Sequence, residues 1–202
     1  MKLIEKYFQD LTDVQKNKLN CFENLVIEWN KKVNLISRKD IENIEERHIL
    51  HSLSIAKIFS FANEKEILDV GTGGGFPGIP LAILFEKVYF TLIDSIGKKI
   101  NIVNIFIKEL QLNNVEAINI NLNKYDKKFD YIVSRAVCQF DEMVSFSKKN
   151  WKKTNGALIM LKGGDLENEL KHYRDKCIIY SLKDYFKEEF FETKKVIVLP
   201  FF

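Results

Sequence analysis

Asp69-Val70-Gly71-Thr72-Gly73-Gly74-Gly75-Phe76-Pro77-Gly78 gathers five of the chain's nine glycines into ten residues. An apolar run, Ile67 to Val70, leads into it, and residues 77 to 86 read as a helix beyond it. Glycine is needed at such density where backbone turns tightly and comes close to a ligand with no Cβ between them. Pro77 suits the first turn of the following helix, whose free N–H groups then face the loop. The decade reads as a ligand-binding loop between the first strand and the first helix of an α/β sheet.

The flanking sequence supports that reading. Short apolar runs at Ile67 to Val70, Val88 to Ile93, Val115 to Ile120, Tyr131 to Ser134 and Ala157 to Leu161 predict strands. Between and after them, helices are predicted at 77 to 86, 98 to 112, 140 to 151 and 165 to 175. This alternation predicts an α/β fold around a mostly parallel sheet. Two further strands, Cys177 to Leu182 and Lys195 to Leu199, are separated by a short charged stretch and predict a closing antiparallel hairpin.

Upstream the pattern is helical. Thr12-Asp13-Val14-Gln15 forms a capping box, and Leu19, Phe22, Val26, Trp29 and Val33 follow at spacings of one helical face. A second helix is predicted after Asp40, with Ile41, Ile44, His48, Leu53 and Ile58 on its buried side. No Gly or Pro precedes Gly71. Residues 1–62 are therefore expected as a helical extension packed on a ligand-binding α/β core, 63–202, within one domain of 202 residues.

Composition narrows the function. Hydrophobic residues are 46% and charged residues 29%, ordinary for a chain that buries its own core. The net charge of +3 permits nucleic-acid binding without arguing for it. Of 31 basic residues only Arg38, Arg47, Arg135 and Arg174 are arginine, so these are the more informative cations. Three cysteines, Cys21, Cys138 and Cys177, make no CxxC pair, so neither a disulfide framework nor a zinc site is expected. Met1 leads into Lys2, Glu5 and Lys6 with no apolar run, and no stretch reaches 18 apolar residues. A cytoplasmic protein without signal peptide or membrane span is expected.

The ligand of the loop has two main candidates. Gly73 to Gly78 formally satisfies GxGxxG, which suggests a dinucleotide, while the absence of Gly-Lys-Ser/Thr excludes a Walker-type loop. Asp69, just before the first glycine, suits a cationic ligand better than a pyrophosphate, and S-adenosylmethionine carries an ammonium and a sulfonium. Asp94 ends the second strand about 20 residues beyond the loop, placed to accept ribose hydroxyls of either ligand.

The segments DVGTGGGFPGIPLAI, FTLIDSIGKK, FDYIVSRA and LKGG, with NLIS and RHILHSL upstream, closely resemble the 16S ribosomal RNA (guanine-N(7))-methyltransferase G family, also called glucose-inhibited division protein B. The resemblance runs in order along essentially the whole chain. It implies a class I S-adenosylmethionine-dependent methyltransferase fold, a Rossmann-like, mostly parallel sheet with one antiparallel strand and N-terminal helices packed on it. S-adenosyl-L-methionine is implied as donor, and a guanine of 16S rRNA in the small ribosomal subunit or an assembly intermediate as acceptor; a monomer is favoured.

By the same resemblance, Gly71 and Phe76 match positions lining the methionine and adenosine portions of the donor, with Gly73 in the same loop. Asp94 matches the ribose acid, Leu122 and Asn123 positions framing the adenine, and Arg135 an arginine near the donor. The chain departs from some relatives, which have Arg for Asn121, Glu for Asn123, Asp for His51 and Pro for Gly74. No role is carried to positions 121 and 51.

The fourth strand ends Ser134-Arg135-Ala136, without the Asn/Asp-Pro-Pro-aromatic motif that resembles exocyclic-amine methyltransferases. Guanine N(7) has an in-plane lone pair and loses no proton on methylation, so no general base is required and no catalytic residue is assigned. Lys98, Lys99, Arg135 and Lys162 are candidates for holding phosphate at the rim. His48 and His51 are expected as helix-surface or hydrogen-bonded core residues rather than metal ligands, and Cys138 as a small buried residue. The rival readings are an NAD-dependent oxidoreductase and a non-catalytic ribosome-assembly module with the same fold.

Overall fold

The computed structural model describes residues 1–152 and 155–201. Five strands, β1 (Glu66–Val70), β2 (Tyr89–Asp94), β3 (Val115–Asn119), β4 (Tyr131–Arg135) and β5 (Ala157–Gly163), run parallel. β7 (Lys194–Pro200) lies antiparallel between β5 and β6 (Ile178–Ser181), giving the order β3-β2-β1-β4-β5-β7-β6. The α/β fold and the closing antiparallel pair thus match the expectation from sequence. The chain steps outward from β1 to β3 and then returns to β4 on the other side of β1, which opens a crevice at the carboxyl ends of β1 and β4.

The central strands read as nearly continuous apolar runs because both sheet faces are covered. Side chains alternate between two cores. Ile67, Phe90 and Leu92 join α2 (Asp13–Asn30), α4 (Gly78–Leu84) and α5 (Gly97–Glu109) on one face. Leu68, Val70 and Ile93 join α6 (Phe140–Ser147) on the other. Phe22 of α2 meets Phe76 and Phe106 at ring-centroid distances of 5.1 and 5.8 Å, which docks the N-terminal helices onto the loop and α5.

The capping box at Thr12 and Gln15 is formed. The Gln15 side chain also donates to the carbonyls of Ile83 and Leu84, satisfying the end of α4, and so ties the two helices together. A short α1 (Lys2–Tyr7) precedes it.

Three predicted helices are corrected. The helix expected after Asp40 is a run of unlike turns: a 3-10 turn Arg38–Asn43, a π-helical turn Glu45–Leu50, α3 (His51–Leu53) and a 3-10 turn Ser54–Lys57. Its buried hydroxyls, Ser52 and Ser54, bond back to the carbonyls of His48 and His51, each at 2.6 Å, which competes with a regular ladder. Residues 165 to 175 form successive turns instead of a helix. There the Asp165 carboxylate accepts the Glu167 N–H, and Glu169 is drawn inward to the Phe140 N–H and to Lys162. The helix expected to reach 151 stops at Ser147, and a 3-10 turn Lys148–Asn150 leads to Trp151, which pairs with Phe129.

Candidate active site

The glycine loop is organised from below by Asp69. This fully buried carboxylate accepts the Thr72 hydroxyl at 2.7 Å and the Gly78 N–H at 2.9 Å, both on Oδ2. Oδ1 is buried without a hydrogen-bond partner. A Cβ at Gly78 would stand 2.7 Å from Oδ2 and 2.8 Å from Leu92 Cγ, so only glycine lets α4 begin this close to the strand. Burial pushes the Asp69 carboxyl up to about 7, while the bonds from Thr72 and Gly78 and the charge of Arg135 pull it down. Asp69 is therefore a brace of the loop, correcting its reading as an acid offered to a cationic ligand.

This brace bears on the choice of ligand. A dinucleotide lays its pyrophosphate on the first N–H groups of the helix after the glycine loop. Here that helix start is not free, contrary to the sequence expectation. An acid already occupies it.

Above the loop, Asp94 Oδ2 accepts the Gly73 N–H at 3.0 Å and Oδ1 the Ile96 N–H at 2.9 Å. Gly73 has φ +59°, and a Cβ there would find nothing nearer than 3.9 Å. The site thus uses glycine for its left-handed backbone and for open space above it. Past β3, the Asn121 side chain accepts the Asn123 N–H at 2.9 Å and starts a 3-10 turn, Leu122–Lys124. Leu122 is buried and Asn123 exposed beside Asp94 at one end of a cavity of about 830 Å³.

Gly71, Gly73, Phe76, Asp94, Leu122, Asn123 and Arg135 all line this one cavity. A volume in this range suits a nucleotide-sized ligand with room for a second group. The cavity follows the carboxyl edge of the sheet, from Asp94 at the end of β2 past Gly71 after β1 and Arg135 on β4 to Lys162 and Gly163 on β5. Lys194 closes that far end, because antiparallel β7 starts opposite Gly163.

Arg135 joins the two halves. Its guanidinium lies 4.9 Å from the Phe76 ring centroid, donates to the Arg47 carbonyl at 3.3 Å and reaches His48 Nδ1 at 3.0 Å. Arginine can only donate, so Nδ1 of His48 accepts and the imidazole is neutral. Burial first, and then the Arg135 charge, lowers the His48 imidazole to about 3. Burial also pulls Arg135 down to about 10, against the charges of Asp69 and Asp40, so it remains cationic at neutral pH. Asp40 pairs with Arg47 at 2.7 Å and stands 3.8 Å from His48 Nε2.

The rim lysines separate. Lys99 lines the cavity, whereas Lys98 is exposed and does not. Lys162 lines it too, yet its Nζ is held by Glu169 and, at 2.7 Å, by the Cys138 carbonyl. It braces the β4–α6 connection and is not a free surface cation. Cys138 is half-buried rather than buried, and burial raises its thiol. His48 and His51 are both buried, and among the described residues no three His, Cys, Asp or Glu side chains form a metal-binding group.

Sequence reasoning missed Asp40, Phe190 and Lys194 as cavity residues. They come from segments remote in the chain, with no local motif to mark them. Arg47 and His48 were marked only by the scarcity of arginine and the RHILHSL segment.

The model of the family described as rRNA small subunit methyltransferase G matches residues 15–198. The chain belongs to that family. It is 47% identical over 202 residues to the Ribosomal RNA small subunit methyltransferase G of Bacteroides thetaiotaomicron, covering 98% of each chain. It is 48% identical over 205 residues to the protein of the same name from Christiangramia forsetii, covering 99% of this chain and 97% of that one. In structure it resembles a SAM dependent methyltransferase from Aquifex aeolicus, with a TM-score of 0.58 and 18% identity over 83% of this chain and all of that one. That likeness confirms the methyltransferase fold. Among the described residues no helix is long and apolar enough to cross a membrane.

Proposed function

We propose that this member of the rRNA small subunit methyltransferase G family transfers a methyl group from S-adenosyl-L-methionine to N(7) of one guanine in 16S rRNA. The observation that carries the donor assignment is the Asp69 carboxylate on the Gly78 N–H. It turns the first N–H of α4 inward to a buried acid outside the cavity lining, so that this N–H is not offered to a phosphate, and so speaks for a ligand without phosphate, as the family membership also does.

The donor, when bound, supplies an electrophilic methyl on a sulfonium. Asp94, fixed by two backbone N–H groups, keeps lone pairs for ribose hydroxyls. Leu122 offers apolar surface to an adenine and Gly73 clears the approach. Arg135 stays pinned by His48 and the Arg47 carbonyl. The imidazole of His48 stays neutral, so it adds no positive charge as charge moves from sulfonium to purine. Since N(7) loses no proton, no general base is needed and the catalysis rests on in-line positioning, an effect that can contribute up to roughly 7–11 kcal/mol.

We place the reaction in the cytoplasm, on RNA held in a small subunit or assembly intermediate, with the enzyme as a monomer. A net charge of only +3 supports protein-assisted recognition over tight binding to naked RNA. The test is borohydride–aniline cleavage of 16S rRNA, which cuts at 7-methylguanosine, from a strain lacking this chain and from the same strain carrying it. One cleavage restored by the chain is expected. Identical patterns would refute the proposal and favour the non-catalytic assembly role.

A further inference from the structure

The far end of the cavity holds a buried acceptor that the donor does not explain. His51 is 7% exposed, lines the cavity, and its Nε2 is buried with no hydrogen-bond partner. The Arg47 backbone favours a ring N–H of this imidazole, and because Nε2 has no hydrogen-bond partner that attraction falls to the opposite ring nitrogen. Two aromatic edges fix the ring plane, Phe190 at 5.4 Å and Phe191 at 6.2 Å. The charged or titratable groups that face it are Arg135, Lys194 and His48. With the first nitrogen donating to a carbonyl and no acid in that set, the ring is neutral and Nε2 presents a lone pair.

A buried lone pair without a donor is costly, and such a group calls for a partner. The sheet order says which partner. The ribose and adenine positions lie at the β2 and β3 end, the glycine loop lies over β1, and His51 shares the β5 and β7 end with Lys194 and Phe190. That end remains for the acceptor base. Guanine turned with N(7) toward the methyl group directs its N1–H and N2–H₂ donors away from it, whereas adenine there carries a lone pair on N1.

Resting on the proposed methyl transfer, we propose that His51 Nε2 accepts a hydrogen bond from the Watson–Crick edge of the acceptor guanine and so selects guanine over adenine. His51 is a specificity residue in this reading. It neither takes a proton nor touches the methyl group.

The experiment is single-turnover methylation of small subunits reconstituted with guanosine, inosine or 2-aminopurine riboside at the modified position. Inosine lacks the N2 amino group and 2-aminopurine lacks N1–H. The wild-type enzyme should lose about ten-fold or more on one of the two analogues, the cost of a buried acceptor left unpaired. His51→Phe should be slowed by a similar factor on guanosine and lose nothing further on that analogue. His51→Gln, whose Oε1 can accept, should keep the discrimination, and both variants should bind S-adenosylhomocysteine within about two-fold of wild type. Equal discrimination by His51→Phe and wild type would overturn the assignment, as would a ten-fold loss of S-adenosylhomocysteine affinity in both variants. Failure of the wild-type enzyme to methylate the guanosine particle would instead overturn the proposed function itself.

Discussion

Asp94 Oδ2 accepts the Gly73 N–H at 3.0 Å, so the acid at the end of β2 holds the glycine loop it faces. Asp94→Ala removes that bond, the one from Ile96 and any bond to ribose together. Affinity for S-adenosylhomocysteine should fall about 10- to 100-fold, or about 1–3 kcal/mol. The turnover rate at saturating donor should fall less. Calorimetry and initial rates separate the two, and an unchanged dissociation constant would remove Asp94 from the donor site.

Gly73 and Gly78 should fail differently. A side chain at Gly73 has open space but a φ of +59°, so Gly73→Val projects into the cavity. It should weaken S-adenosylhomocysteine at least ten-fold, with a strain cost of about 1 kcal/mol. Gly78→Ala drives a methyl group onto Asp69 Oδ2 and Leu92 and should lower the melting temperature by several degrees, as overpacking costs about 1–3 kcal/mol. A wild-type melting temperature for Gly78→Ala, or unchanged S-adenosylhomocysteine affinity in Gly73→Val, would contradict this division.

Asp69 makes stability depend on pH with an unusual sign for a carboxylate. Its folded value is raised from 3.8 to about 7, so the folded state holds a proton that the unfolded state has released. Its stabilising contribution is complete below about pH 4 and is lost as pH rises to about 7 and beyond. The full shift corresponds to at most roughly 4 kcal/mol. Asp69→Asn should therefore gain on wild type as pH rises from 5 to 8. Parallel denaturation midpoints across that range would be inconsistent with a raised value.

Lys162 and Glu169 form an ion pair whose side chains are 11% and 14% exposed. Lys162→Met leaves Glu169 buried without its cation and frees the Cys138 carbonyl. A loss of about 3–5 kcal/mol is expected in urea denaturation. A stability equal to wild type would restore the reading of Lys162 as a rim cation.

The strands and the loop were legible because their causes are local: double-sided burial writes continuous apolar runs, and a tight approach writes glycines. Asp94 was legible from its distance beyond the loop. Asp69 was located but misread, since sequence gives an acid's place and not the donors it meets, here the Thr72 hydroxyl and the Gly78 N–H. Residues 165 to 175 carry a helical pattern that loses to a tertiary contact, Glu169 reaching the start of α6. The far end of the cavity was invisible for the same reason, as His51, Phe190 and Lys194 meet only when β7 returns beside β5.

Titration of the purified protein with S-adenosylhomocysteine in a calorimeter tests the central claim most directly, with NAD as the parallel titrant. The account predicts saturable binding of one S-adenosylhomocysteine per chain and no heat with NAD. Binding of NAD, or the absence of any heat with S-adenosylhomocysteine and S-adenosylmethionine alike, would contradict it.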